Sequence, residues 1–549
     1  MELLRAELHL LVWVTAAVVL LSLLLFSTVP FFTDYIRKWK IMKPIPGVGP
    51  NYPLVGDALM LKPNGGDFFR QIIEYTEALR HLPLIKLWLG PIPFLILYHA
   101  ETIEPILSTS KHMDKSFAYK FLHPWLGLGL LTSTGDKWRS RRKMITPSFH
   151  FAILSEFLEV MNEQSKILVE KLNGRAGKGT FNCFMDVTLC ALDIICETAM
   201  GRKIQAQSNS DSDYIRAIYE MSDMIQCRQR MPWLWSDFIY YRLKTGKRHN
   251  ENLKILHSFT DQTILERAQE LKNVKSNVDQ DDDSETKNTK KRSAFLDMLL
   301  KATDEAGNTM SHKDIREEVD TFMFEGHDTT AAALNWSLFL LGSHPEVQKK
   351  VHKELDDTFE LDSYIVDVQA CYLCCFNAAA KDKFGKGQSD RPVTMDDMKK
   401  LRYLEAVVKE ALRIFPSVPF FARTITEDCK IRGFTVPKGV NVVIVPYALH
   451  RDPEYFPEPE EFKPERFFSE NASGRNPYAY IPFSAGLRNC IGQRFALMEE
   501  KVVLSAILRN FTVKASQSRD DLRLVGELIL RPQDGILIQL EKRKPNVAL

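Results

Sequence analysis

A single predicted helix sets a lower limit on the size of the fold. Ser311 and Asp314 have the spacing of a helix-capping pair, and the helical pattern that follows continues as far as Gly342. About thirty residues at roughly 1.5 Å per residue give a helix some 45 Å long. Such a helix must cross the interior of a large domain. We therefore expect a mainly α-helical fold with minor sheets, whose strands include alternating stretches at 432–444 and 528–540.

The N-terminal segment differs from the rest of the chain. Residues 10–33 contain no Asp, Glu, Lys or Arg, and about twenty apolar residues can cross the roughly 30 Å core of a bilayer. Basic residues follow the segment: Arg37, Lys38, Lys40 and Lys43. By the positive-inside rule, residues 1–9 are then a short lumenal N-terminus and the remainder is cytosolic. A cleaved signal peptide is the alternative, but the run is too long and lacks a small-residue exit.

Composition excludes several classes of function. Lys and Arg number 72 and Asp and Glu number 70, so the net charge of +2 gives no sign of a nucleic-acid partner. The chain contains no GxGxxG and no GxxxxGK[ST] motif, and hence no recognisable nucleotide site of its own. Nine cysteines are too few for a disulfide scaffold of this length.

Cys490 is the cysteine whose surroundings indicate chemistry. It lies in a loop rich in turn residues, directly before a predicted helix with Phe495 and Val502 on its apolar face. The positive end of that helix and the nearby Arg488 and Arg494 favour a thiolate over a thiol. A stabilised thiolate is either a nucleophile or a metal ligand, and the residues alone leave both open.

The loop resembles the FxxGxRxCxG haem signature of the cytochrome P-450 monooxygenases. Its fixed positions are occupied by Phe483, Gly486, Arg488, Cys490 and Gly492. Further motifs of that family occur in the same order: Trp138-x-x-x-Arg142, Glu410-x-x-Arg413, Arg423, and Pro464-Glu465-Arg466-Phe467. Their order and spacing extend the resemblance over nearly all of the chain after the N-terminal segment.

The resemblance implies the cytochrome P-450 fold with a bound haem b. By that resemblance Cys490 is the axial ligand of the haem iron, and the haem carboxylates are held by Trp138, Arg142, Arg423 and Arg488. Glu410, Arg413 and Arg466 are implied as a structural ion-pair triad. One departure is Leu487, where the family usually has proline; we expect haem to bind, with a less rigid loop.

The middle of the long helix narrows the resemblance. Glu325-Gly326-His327-Asp328-Thr329-Thr330 is similar to family 4, the fatty-acid ω-hydroxylases, and the whole chain is most similar to subfamily V. The acid–alcohol pair that assists O2 activation in the family falls on Asp328 and Thr329. Many members ester-link a glutamate at the position of Glu325 to a haem methyl, and we expect this ester here. Aromatic and apolar residues suggested for the substrate channel are Phe121, Trp125, Leu128 and Phe322.

The implied partners follow from the missing nucleotide motif. Electrons from NADPH would arrive through NADPH–cytochrome P-450 reductase, with cytochrome b5 as a further candidate partner. The reductase would dock on basic residues: Arg139, Arg141, Lys143 and Arg494. The resemblance thus describes a single-pass enzyme of the endoplasmic-reticulum membrane with a cytosolic catalytic domain that acts on fatty acids.

The predicted domain order is an anchor over 10–33, a basic and Pro/Gly-rich linker over 34–56, and one catalytic domain over 57–549. Within that domain, residues 361–384 interrupt the resemblance as an atypical insertion. Two alternatives therefore stay open. The first is that the substrate is another lipid, such as a sterol or an eicosanoid. The second is that the chain binds haem and lipid without turnover because of the insertion.

Overall fold

A computed structural model describes residues 2–49, 52–209, 213–278, 294–302, 309–374 and 391–543. Within these residues the protein is mostly helical. The helices are α1 Glu2–Met42, α2 Gly65–Ala78, α3 Ala100–Leu107, α4 His123–Leu126, α5 Gly135–Ile145, α6 Phe151–Asn173, α7 Phe184–Met200, α8 Asp213–Arg230, α9 Asp237–Tyr240, α10 Lys244–Val278, α11 Phe295–Lys301, α12 His312–Ser343, α13 Pro345–Cys374, α14 Met395–Lys400, α15 Arg402–Ile414, α16 Pro446–Leu449, α17 Ser469–Ala472 and α18 Gln493–Asn510.

The strands of the described residues are short and form small sheets. They are β1 Ile85–Leu89, β2 Ile92–Leu97, β3 Phe181–Asn182, β4 Phe421–Thr424, β5 Cys429–Ile431, β6 Phe434–Val436, β7 Asn441–Ile444, β8 Phe511–Ala515, β9 Leu524–Gly526, β10 Leu530–Pro532 and β11 Leu537–Lys542. The largest sheet has the order β1-β2-β7-β4, with β2 and β7 parallel. The strands expected at 432–444 and 528–540 are present, so the mainly α fold with minor sheets is confirmed.

Helix α12 crosses the interior as the sequence predicts. The Asp314 N–H donates to the Ser311 hydroxyl at 3.1 Å, which caps the helix, and the helix continues to Ser343. It packs against α7, α15, α18 and β8. Trp336 is buried and stacks on Phe415 with ring centroids 4.3 Å apart. The helix is therefore surrounded by protein, which explains why its apolar residues are not confined to one face.

The N-terminal predictions are only partly met. No helix among the described residues is long and apolar enough to cross a membrane, so the span expected over 10–33 is not confirmed. Of the linker predicted over 34–56, the first part is helical, because α1 continues to Met42. Tyr35 and Trp39 pack on Trp88 of β1, with ring centroids 5.4 and 5.2 Å apart. This packing stabilises the last turns of α1, which ends two residues before Pro44.

The insertion predicted at 361–384 begins inside a helix. Helix α13 continues through Cys374, so the first part of the insertion extends the helix that precedes it. The rest of the insertion lies within 375–390, outside the described residues.

Candidate functional site

The loop that carries Cys490 is shaped by its glycines. The Cys490 N–H donates to the carbonyl oxygen of Phe483 at 2.9 Å, and Gly492 is the N-cap of α18. Gly486 has a φ of +71°, and a Cβ atom added there would lie 1.9 Å from the carbonyl oxygen of Leu107. Only glycine fits such a position. The loop thus places the cysteine sulfur two residues ahead of the helix cap.

The Cys490 thiol does not ionise easily in these surroundings. Its side chain is accessible from an internal cavity, yet it lies deep in the protein, where burial raises the pKa of the thiol to about 11. The N–H groups of Gly492 and Gln493 and the charge of Arg142 act in the opposite direction but are outweighed. Burial thus opposes the thiolate that the helix end and the arginines are expected to favour. A bound cation would shift this balance, since a coordinating thiol is deprotonated outright.

The cavity next to Cys490 has a volume of about 400 Å³. Helix α12 contributes Glu325, Gly326 and Thr329 to its wall, and the wall is otherwise mostly apolar. Gly326 leaves room for Ile195, because a Cβ atom at residue 326 would lie 2.6 Å from the Ile195 side chain. The cysteine and the polar turn of α12, 160 residues apart in the chain, therefore border one space.

Buried cations line the same cavity. Arg488 donates to the carbonyl oxygens of Met113 and Ser133 at 2.8 and 2.7 Å and lies over the Trp138 ring, 4.7 Å from its centroid. Burial, followed by the charge of Arg423, lowers the pKa of Arg488 to about 9. Burial also lowers the pKa of Arg423. Such a concentration of positive charge in an apolar interior is costly unless anions neutralise it.

Lys115 is a further cation that sequence reasoning missed. It lines the cavity, and residues 115 and 423 form an isolated antiparallel bridge that brings the two side chains together. Its pKa is lowered well below the usual value, first by burial and then by Arg423 and Arg488, whereas Glu325 raises it. No motif marks Lys115 in the sequence, since its position depends on pairing with a strand some three hundred residues later.

Arg142 has a different set of contacts. Its guanidinium donates to the carbonyl oxygen and the side-chain oxygen of Asn489, at 2.7 and 2.9 Å. It therefore holds the residue that precedes Cys490. Trp138, one turn earlier on α5, is buried and lines the cavity.

These residues fit an iron porphyrin with two carboxylates. The fit rests on an accessible sulfur ligand, an apolar cavity, and three cations at one edge that form no ion pair among the described residues: Lys115, Arg423 and Arg488. Cys490 would bind the iron and the cations would neutralise the carboxylates.

The polar turn of α12 places three side chains in the cavity wall: Glu325, Thr329 and Thr330. The Thr329 hydroxyl donates to the Glu325 carbonyl oxygen at 2.7 Å, and the Ser417 hydroxyl donates to the carbonyl oxygen of Thr329 at 2.8 Å. Burial raises the pKa of the Glu325 carboxyl to about 7, and Asp328 adds to this while Lys115 opposes it. His327 is buried, with its Nδ1 atom 2.6 Å from the carbonyl oxygen of Met323.

Asp328 does not line the cavity. It is buried in an ion pair with Arg531 of β10, and Arg531 also contacts Glu527 at 3.2 Å. The Tyr219 ring covers the guanidinium at 4.3 Å. The side chains of the predicted acid–alcohol pair, Asp328 and Thr329, therefore point in different directions, because consecutive helical residues are about 100° apart around the helix axis.

The predicted ion-pair triad is assembled. Arg413 donates to both carboxylate oxygens of Glu410 at 2.7 and 2.8 Å, and the Arg466 Nε atom lies 3.4 Å from the same carboxylate. Both Glu410 and Arg413 are fully buried. Arg413 also donates to the carbonyl oxygens of His450 and Pro459, so the triad ties α15 to the segment that leads to the Cys490 loop.

Of the four residues suggested for the channel, Phe322 lines the cavity. Phe121 and Trp125 are buried behind the wall, with Trp125 against Phe324 at 4.7 Å, and Leu128 is 41% exposed. Apolar residues that do extend the cavity come from α2, the segment before it and the first sheet, and sequence reasoning missed them: Leu61, Phe68, Ile72, Leu87, Leu89 and Phe94.

Comparison with known proteins agrees with this site. The sequence model of the cytochrome P450 family matches residues 46–373 and 379–540. Cytochrome P450 4V2 of Homo sapiens is 58% identical over 536 residues, which cover 97% of each chain. Cytochrome P450 4V2 of Rattus norvegicus is 58% identical over 96% of this chain and 95% of its own length. Cytochrome P450 4c3 of Drosophila melanogaster is 45% identical over 96% and 94%, respectively.

The family, the cysteine loop and the cavity together imply haem and O2 as cofactors of a monooxygenase. The protein therefore belongs to the cytochrome P450 family, in family 4 and subfamily V.

Proposed function

We propose that the protein hydroxylates the ω-end of medium- and long-chain fatty acids. The observation that carries this proposal is the apolar cavity that reaches from Cys490 and Thr329 to Phe68 and Leu89. When bound, the haem supplies the oxygen chemistry. The chain's residues must then present the terminal methyl rather than the more reactive methylenes, which requires an end-on substrate and a defined approach.

Several residues have proposed roles around the haem. Cys490 binds the iron, and Arg423 and Arg488 neutralise the haem carboxylates. Arg142 and Trp138 support the cysteine loop and the haem edge, and Glu325 forms an ester with a haem methyl. Thr329 orders a proton donor next to the cavity. Asp328 assists Thr329 in proton delivery only when its ion pair with Arg531 is broken. This role therefore requires that the ion pair opens.

Electron supply is proposed to come from NADPH through NADPH–cytochrome P-450 reductase, with cytochrome b5 as a further candidate donor. An exposed basic surface around the cysteine loop supports this, because acidic redox partners are steered by local charge. Arg139 and Lys143 on α5 and Arg494 on α18 are exposed, as is Leu487 of the cysteine loop. Arg141 contributes less, since it is mostly buried and paired with Asp314.

A membrane of the endoplasmic reticulum is the proposed location, with the catalytic domain on the cytosolic side. Helix α1 supports membrane association because its large apolar side chains are exposed, including Trp13, Leu20 and Phe26 at 73%, 68% and 81%. An exposed apolar surface of this kind marks a membrane or protein contact.

The test is turnover of lauric acid by the purified protein with reductase and NADPH. We expect mainly the terminal alcohol, measured by mass spectrometry, together with the red-shifted carbon monoxide band of a thiolate-bound haem. Cys490→Ser should lose both signals. A proper carbonyl band without any product would favour the alternative of a binding protein, and conversion of a sterol or an eicosanoid instead of laurate would favour another lipid substrate.

A further inference from the structure

Arg230 is a buried cation that none of the proposed haem contacts uses. It is the last residue of α8, it is 5% exposed, and it lines the cavity. Its Nη2 atom donates to the carbonyl oxygen of Pro63 at 3.2 Å. Its Nε and Nη1 atoms have no hydrogen-bond partner in the part of the chain that the structure describes. Unpaired buried donors on a charged group are costly, so this site is incomplete without an acceptor.

The surroundings of Arg230 also favour an anion. A Cβ atom built on Gly65, the first residue of α2, would lie 3.7 Å from Nη1, so the positive end of a fourteen-residue helix adjoins the guanidinium. The Phe68 ring lies 5.5 Å from the guanidinium carbon. The carboxyl groups that act on Arg230 are Asp223 and Glu527, and Glu527 is already paired with Arg531.

Arg230 and the haem site lie in different parts of the cavity. Arg230 contacts Pro63 and Phe68, whereas Arg488 and Arg142 contact Met113, Ser133 and Asn489 beside Cys490. Most of the cavity wall is apolar, and its lining residues include Ile72, Leu87, Phe94, Val418, Phe420 and Leu528. A ligand that uses both ends therefore needs one anionic group and a long apolar body.

We infer that Arg230 binds the carboxylate of the fatty-acid substrate and so fixes how far the chain reaches towards Cys490. This inference rests on the proposed function. A carboxylate accepts two parallel N–H bonds from a guanidinium, which would satisfy the unpaired donors and orient the alkyl chain. The distance from Arg230 to the haem would then set the preferred chain length and keep the ω-carbon at the reacting position.

The experiment compares an acid with a neutral ligand of the same chain. Calorimetry on the holoenzyme gives the Kd of laurate and of 1-dodecanol for wild type, Arg230→Gln and Arg230→Lys. We expect Arg230→Gln to weaken laurate binding about ten- to a hundredfold and to leave dodecanol binding unchanged. Arg230→Lys should retain part of the preference for laurate over dodecanol. With reductase, Arg230→Gln should also shift laurate products from the ω-carbon towards inner carbons.

The matched control is Arg216→Gln, which removes the same charge from an exposed position on α8. It should change neither affinity nor product position. Equal losses for laurate and dodecanol in Arg230→Gln would overturn the inference, since they indicate a structural role. Equal affinities of wild type for the two ligands would overturn it as well, even if laurate is hydroxylated. A wild type that prefers laurate yet forms no product would instead refute the proposed function and support the carboxylate site.

Discussion

Asp328 on α12 and Arg531 on β10 form a buried ion pair beside the cavity, while the next residue, Thr329, lines the cavity itself. The pair joins the central helix to the small β9–β10 sheet. Glu527 lies in the same cluster, where burial raises the pKa of its carboxyl to about 7. Arg531 thus stabilises two carboxyl groups that are both removed from solvent.

Replacing Arg531 with methionine should therefore destabilise the protein strongly. Arg531→Met leaves Asp328 and Glu527 without their cation, and removal of one partner of a buried pair costs about 3–5 kcal/mol. Urea unfolding of the holoenzyme, followed by the haem spectrum and by circular dichroism, measures this loss.

The control for this change is the double variant Arg531→Met with Asp328→Asn. Because the amide carries no charge, the double variant should recover part of the lost stability. A single variant that loses less than about 1 kcal/mol would show that the ion pair is solvated rather than buried.

Gly486→Ala should disrupt the cysteine loop. The added Cβ atom would meet the Leu107 carbonyl oxygen at 1.9 Å and would also force a left-handed backbone on alanine. We expect loss of the red-shifted carbon monoxide band together with a lower Tm. Gly433→Ala is the matched control, because Gly433 has a φ of +85° but open space around its Cβ position. It should cost about 1–2 kcal/mol for the backbone alone and leave the band unchanged.

Local signals in the sequence predict much of this fold. The Ser311–Asp314 cap and the periodicity of α12 and α18 depend on residues within a few turns of one another, and these elements are present as expected. The spacing of Glu410 and Arg413 likewise places both on one helical face, where the structure shows them paired.

What sequence reasoning missed depends on distant contacts. Lys115 reaches the site through Arg423, and Asp328 turns away because of a partner 203 residues later. The high pKa of the Cys490 thiol has the same origin, since the extent of burial is set by the whole fold. The apolar residues that extend the cavity come from α2 and the first sheet, whereas Phe121 and Trp125 pack behind its wall, as an aromatic stripe can do equally well.

Asp320 should make stability depend on pH. It is buried on α12, and burial raises the pKa of its carboxyl from 3.8 to about 8, although the Thr260 hydroxyl donates to it at 2.5 Å. Between these pH values the folded protein holds a proton that the unfolded chain has released. The contribution of Asp320 to stability is therefore greatest below about pH 4 and declines as the pH rises towards 8.

Asp320→Asn tests this dependence, because the amide keeps the acceptor for Thr260 and does not ionise. We expect the free energy of unfolding of the variant, relative to that of wild type, to increase by on the order of 3 kcal/mol as the pH rises from 5 to 8. Tm measured across this range gives the comparison. A difference between the two proteins that stays constant with pH would show that Asp320 does not titrate within it.

The proposed ester of Glu325 makes a chemical prediction. Ester formation breaks one C–H bond of a haem methyl and the carboxyl O–H bond and forms one C–O bond. It is a two-electron oxidation, and the oxidant is the O2 that the enzyme activates. Acid–acetone extraction should leave haem on turned-over wild type and release it from Glu325→Ala and Glu325→Gln. Glu318→Gln is the control, because Glu318 is a buried glutamate on the same helix but accepts a hydrogen bond from the Leu130 N–H at 2.9 Å, outside the cavity wall. It should retain haem as wild type does. Complete release from wild type would mean that Glu325 is balanced by Lys115 alone, and the raised pKa of its carboxyl would then reflect burial without covalent use.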